Sequence, residues 1–169
     1  MQQLYLTGQG ASAAAERVLR AINVPTAGFR LTPFSVSGEV RGEALHFLLP
    51  PPSPLLNDVP CRIRIQSDSW QLVPKVMEQI AAPGLRACLG TLTPVLVDTI
   101  HPDMLAGKAF CAVLDQLQAR ERLCVFVVAD GAEKKLRRMM PVERQRWFRV
   151  TDVPEETLIE AAMLRLSSL

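Results

Sequence analysis

LTGQGASAAAERVL, residues 6–19, reads as the end of a strand, a short glycine loop and the start of a helix. Leu4, Tyr5 and Leu6 form an apolar run that leads into Thr7 and Gly8. Beyond Gly10 the chain turns to alanine, the strongest helix former, and places Val18, Leu19 and Ile22 on one face of a helix over 12–22. Ser12 stands where an N-cap belongs. Asn23-Val24-Pro25 stops the helix, because a residue before proline is driven out of the α region. A strand that ends in glycine and feeds a helix is the layout of a phosphate cradle, in which backbone N–H groups and the helix dipole face an anion. The nucleotide-binding form of that cradle is G-x-x-x-x-G-K-[ST]. Counted from Gly8, its second glycine falls on Ala13, its lysine on Ala14 and its hydroxyl on Ala15. Two readings stay open: a phosphate loop that has lost its chemistry, or a βα turn in which Gly8 and Gly10 serve backbone geometry.

Outward from this stretch, strands and helices alternate. Strands are expected over 28–32, 61–65, 94–100, 123–128 and 147–150. Helices are expected over 67–80, 105–119, 132–140 and 154–166. In the first of these, Ser67 or Asp68 would be the cap, and Trp70, Val73, Val76, Met77 and Ile80 would face inward. The runs PVLVDTI (94–100) and LCVFVV (123–128) are almost unbroken in apolar residues. Such strands belong in a parallel sheet covered on both faces. Residues 34–49 alternate around Val36, Val40, Leu45 and Phe47, with Gly38 and Gly42 between, so a β-hairpin insert beside the main sheet is expected there. PPPSP at 50–54 reads as a stiff polyproline connector.

The bulk numbers bound the function. A chain of 169 residues suits a single domain over 1–169 with a real core. A net charge of +2 is too mild to argue for a nucleic-acid partner. No apolar run reaches the roughly 20 residues of a membrane span. The N-terminus lacks the charged and apolar regions of a signal peptide, so a cytoplasmic location with no membrane partner is expected. Cys61, Cys88, Cys111 and Cys124 match no metal-ligand spacing, and buried reduced thiols are expected.

In an open parallel sheet the ligand site lies at the carboxyl ends of the strands. Three stretches end there: the glycine loop at 8–10, Asp98 and Asp130. An apolar strand ending in Asp suits a Mg²⁺ ligand, since Mg²⁺ takes one or two carboxylates beside phosphate oxygens. A strand-terminal Asp also caps turns, and both roles are open for Asp98. Lys134, Lys135, Arg137 and Arg138 form either a phosphate-reaching lid or a solvated face. His101 is a loop hydrogen-bonder or a group facing the same cleft, and Arg30 and Arg41 could line a groove beside the hairpin.

Leu6-Thr7-Gly8, Gly28-Phe29, Gly38-Glu39-Val40-Arg41-Gly42, Leu96-Val97-Asp98-Thr99-Ile100-His101 and Phe148-Arg149-Val150-Thr151 follow one another across nearly the full chain. In that order they resemble the small P-loop nucleoside-triphosphatase family first known from thermophilic bacteria, whose fold is close to that of nucleotide kinases. The resemblance implies a three-layer α/β fold with a mostly parallel sheet and helices on both faces; from the two apolar runs themselves, the strands ending at Gly8 and Asp98 are expected as central neighbours in a sheet of about five strands. It implies a phosphate loop over Gly8, Gln9, Gly10, Ala11, Ser12, Ala13, Ala14 and Ala15, with Asp98 on Mg²⁺. The family's lysine maps to Ala14, its metal-binding hydroxyl to Ala15 and its catalytic glutamate to Thr99. The reading is a degenerate relative: a regulatory or interaction module, non-catalytic or weakly binding a nucleoside triphosphate with Mg²⁺, another phosphorylated small molecule, or a protein partner. The rival is an active nucleoside triphosphatase or kinase-like enzyme with a relocated site. It would need a cation from Lys134, Lys135, Arg137 or Arg138.

Overall fold

In the computed structural model, residues 2–49, 57–66 and 69–167 are described. The expected connector at 50–54 and the expected cap at Ser67 or Asp68 lie outside these residues. The strands are β1 (Gln3–Thr7), β2 (Ala27–Val36), β3 (Glu39–Phe47), β4 (Val59–Gln66), β5 (Ser69–Leu72), β6 (Val95–Ile100), β7 (Cys124–Val128) and β8 (Gln145–Arg149). The helices are α1 (Ala11–Ile22), α2 (Ala82–Ala87), α3 (Lys108–Gln118), α4 (Glu133–Met139) and α5 (Glu155–Ser167).

The period of two along each buried strand sorts side chains between two cores. Leu4, Leu6, Leu96, Val125 and Val127 face one layer, with α1 and α5. Tyr5, Val95, Val97, Cys124 and Phe126 face the other, with α2, α3 and α4. Each fully buried Leu or Phe contributes about 1.5–3 kcal/mol. Two such layers explain why the β6 and β7 runs carry no alternation of polar residues.

One sheet of eight strands runs β5-β4-β3-β2-β6-β7-β1-β8. It is mixed, which corrects the expectation of about five mostly parallel strands. β2, β6, β7, β1 and β8 pair in parallel. β3, β4 and β5 extend the sheet from β2 in antiparallel register. The hairpin is therefore part of the sheet and not an excursion beside it. β2 is long enough to hold β6 through Ala27, Gly28, Phe29 and Arg30 on one edge and β3 along its other edge. Ser37 and Gly38, both at positive φ, close the β2–β3 turn, the geometry that matches the twist of paired strands.

Two further expectations are corrected. β1 and β6 are parallel, but β7 lies between them. Apolar runs report that strands are buried, and carry nothing on which buried strand sits beside which. The helix expected over 67–80 starts as β5 instead. Trp70 pairs with Arg64 across β4 and lies under the Arg62 guanidinium, 5.2 Å from ring centroid to Cζ. Pro74 and Lys75 at φ +63° block a helix there, and helical turns begin at Met77. Val76 and Met77 are buried as expected.

All four cysteines are free. Burial pushes the Cys61 and Cys124 thiols up to about 12, so both stay protonated at neutral pH. Among the described residues, no helix is long and apolar enough to cross a membrane.

Candidate functional site

β1 ends at Thr7 and α1 begins at Ala11, so Gly8, Gln9 and Gly10 make the whole connection. Gly8 at φ +91° and Gly10 at φ +83° occupy the left-handed region, which an L side chain resists. The Ala11 amide donates to Gly8 O at 3.2 Å and the Ala14 amide to Gly10 O at 2.9 Å. Gly10 is the N-cap and no side chain caps the helix, which corrects the expected role of Ser12. Ser12 sits in the first turn, where amides have no intrahelical acceptor.

Freed from capping, the Ser12 hydroxyl donates to Asp98 Oδ1 at 2.6 Å. Thr99 Oγ1 donates to the same oxygen at 2.5 Å, and the two hydroxyls lie 3.3 Å apart. Asp98 lies within β6, two residues before its end at Ile100, which corrects the expected strand end at Asp98, and it is 6% exposed. The structure thus joins the loop to Asp98 across an intervening strand, through a residue pair 86 positions apart in sequence. Ala14 and Ala15 are elsewhere: 3% and 0% exposed, they pack in the α1–sheet core with Leu6 and Val18. Ala13 is exposed on α1.

A cavity of about 270 Å³ opens above these strand ends, lined by the loop at 8–10, Ala11, Ser12, Thr99 and the end of β7 to Asp130. Small-molecule pockets commonly run about 300–1,000 Å³, so this space suits a polyphosphate better than a whole nucleotide. On the far side of Gly8 lies β8. Thr7 is in register with Arg149, and the Val150 amide donates to Thr7 O at 3.0 Å. A Cβ on Gly8 would stand 3.3 Å from Arg149 Cγ and 3.8 Å from its Nε.

His101, Arg30, Arg41 and Arg137 are engaged away from the cavity, whereas Asp130 lines it. His101 Nε2 lies 3.5 Å from Glu43 Oε2. Arg62 donates to Glu43 at 3.1 Å and to Asp103 at 3.3 Å, and is 11% exposed. This cluster ties β3 and β4 to the segment after β6, outside the cavity lining. Burial pushes His101 below its ordinary pKa, reinforced by Arg62 and opposed by Glu43, Asp103 and Asp98. The imidazole is neutral at pH 7. Arg30 faces Glu16 at 3.7 Å and Arg41 faces Glu39 at 2.7 Å. In the basic helix α4, Arg137 pairs with Glu133 at 2.8 Å and stacks on Trp147 at 4.2 Å.

The residues fit a Mg²⁺ ion in part. Asp98 and Ser12 offer two hard oxygen donors beside a helix N-terminus, the donor chemistry Mg²⁺ takes next to phosphate. Among the described residues, no cluster of three His, Cys, Asp or Glu forms a self-sufficient metal site.

No family model matches the sequence, and no curated protein does. Solved structures do. The crystal structure of THEP1 from the hyperthermophile Aquifex aeolicus matches with a TM-score of 0.66 and 14% identity, over 96% of this chain and 99% of that chain. The solution structure of a human cancer-related nucleoside triphosphatase matches with a TM-score of 0.66 and 17% identity, over 99% of this chain and 98% of that chain. This chain has their α/β fold. The fold agrees with the resemblance drawn from the motif order. Sequence reasoning missed the Ser12–Asp98 contact and the placement of Arg149. A hydroxyl two residues after Gly10 was a legible signal for the first. Arg149 gave none, since the register of β1 with β8 brings it to the loop.

Proposed function

We propose that the chain is a nucleoside-triphosphatase-like protein that binds the phosphates of a nucleotide, or of another phosphorylated small molecule, and does not hydrolyse them efficiently. The observation behind this reading is the loop itself. Three residues replace the longer phosphate loop, and the G-K-[ST] triad reads Gly10-Ala11-Ser12 in the frame that the helix start supports. That frame keeps the hydroxyl on Asp98 and loses the lysine. The sequence frame, with lysine at Ala14 and hydroxyl at Ala15, meets side chains packed in the core.

Ser12 and Asp98 would hold Mg²⁺, which when bound supplies positive charge to phosphate oxygens. The loop amides and the α1 dipole orient an anion over the cavity. Phosphoryl transfer depends on fixed cations and an oriented nucleophile. Ala11 brings no cation, and the Thr99 hydroxyl is spent on Asp98. A protein built this way reports phosphate occupancy to a partner more readily than it turns substrate over.

Titration calorimetry with ATP, GTP and tripolyphosphate, each with and without Mg²⁺, tests the binding. Phosphate release tests the chemistry. Micromolar-to-millimolar binding that Mg²⁺ strengthens, with turnover far below 1 s⁻¹, the low end of ordinary enzymes, is the expected result. Turnover near that value, abolished in Asp98→Ala, would overturn the non-catalytic reading.

A further inference from the structure

The geometry points to Arg149 as the cation that replaces the missing loop lysine and clamps the bound phosphates from the β8 side. The inference rests on the phosphate-binding reading above. Arg149 is the last residue of β8 and is held beside the loop by backbone pairing: it is in register with Thr7, and the next amide, Val150, donates to Thr7 O. Its stem packs beside the bare backbone of Gly8, where a Cβ would crowd Arg149 Cγ at 3.3 Å. A guanidinium fixed this way needs little reordering to reach an anion seated on the loop, and its planar fork matches two phosphate oxygens at once.

The charge is also available. Neighbouring arginines are engaged: Arg137 by Glu133 and Trp147, Arg146 over the Phe148 ring. Arg149 is exposed and forms no ion pair with a described carboxylate. A strand-borne arginine beside Gly8, just outside the residues that line the cavity, would reach a triphosphate seated on the loop without sitting where the loop lysine of an active enzyme stands. That placement accounts for retained binding beside lost chemistry. The ligand class is a di- or triphosphate group, read by charge.

The test compares Arg149→Gln, Arg149→Lys and Arg146→Ala in titrations with Mg²⁺-tripolyphosphate. Arg146→Ala removes the same charge from the same strand but not from the loop. Arg149→Gln should weaken binding roughly three- to thirty-fold, a charge-assisted contact discounted for solvent exposure. Arg149→Lys should recover part of that loss, and Arg146→Ala should change affinity less than two-fold by order of magnitude. If wild type binds and Arg149→Gln matches Arg146→Ala, the role of Arg149 is overturned and the phosphate site stands. If wild type binds no tripolyphosphate at millimolar concentration, the site reading falls and Arg149 falls with it.

Discussion

Lysine at position 14 separates the two frames of the glycine loop. In the frame counted from the sequence pattern, Ala14→Lys restores a phosphate-binding lysine and should tighten triphosphate binding. In the folded chain Ala14 is 3% exposed in the core between α1 and the sheet. The substitution would push four methylenes and an ammonium into close-packed space, and overpacking costs about 1–3 kcal/mol. A lysine held neutral there at pH 7, from an ordinary pKa of about 10.4, costs about a further 4–5 kcal/mol. Snorkelling of the long stem relieves part of this, which leaves a floor of about 3 kcal/mol. At about 2–4 °C per kcal/mol for a chain of this size, the melting temperature should fall by at least about 6–12 °C. Thermal denaturation followed by circular dichroism reads the shift, and titration with tripolyphosphate reads the binding. An unchanged melting temperature together with tighter binding would refute the three-residue loop and restore the longer frame.

Ser12→Ala removes one donor from Asp98 Oδ1 and should cost about 1–2 kcal/mol of stability, since Thr99 still serves the same oxygen. It should also weaken the Mg²⁺ enhancement of tripolyphosphate binding more than Mg²⁺-free binding, as titrations at both conditions would show. His101→Gln addresses pH. A histidine whose pKa is depressed on folding binds its proton in the unfolded chain first, so it lowers stability as pH falls below the ordinary histidine value near 6.5. Urea denaturation between pH 7.5 and 5 should give a flatter stability profile for His101→Gln than for wild type, and parallel profiles would refute the buried, neutral histidine. Gly28→Ala places a Cβ 2.0 Å from Leu96 O at φ +97°, so β2 must leave β6. We expect a loss of at least about 3 kcal/mol, or insoluble expression, and a near-native urea midpoint would refute the β2–β6 register.

Much of the architecture was legible in the residues. The unbroken apolar runs at β6 and β7 required a sheet with both faces covered. The glycine loop marked the end of β1, while Asp98 marked β6 two residues short of its end. The site was legible in its parts and not in its frame. Spacing rules assume a fixed loop length, and Ala14 and Ala15 look the same in a loop as in a helix. Their burial beneath α1 decides the matter, because a helix that starts at Ala11 turns those two positions toward the sheet.

The sequence by itself determined which segments are buried and on how many faces, because period and composition record each segment's local demand for apolar contact. The tertiary structure decided what that record cannot hold. It put β7 between β1 and β6 and merged the hairpin with the sheet. It made β5 from residues whose apolar spacing suited a helix, since Trp70 gains a strand partner and the Arg62 guanidinium over its ring. It carried Ser12 to Asp98 and Arg149 to Gly8. Each of these depends on side-by-side pairing between segments far apart in the chain. The energy of such a pair belongs to both partners at once and is written in neither stretch of sequence.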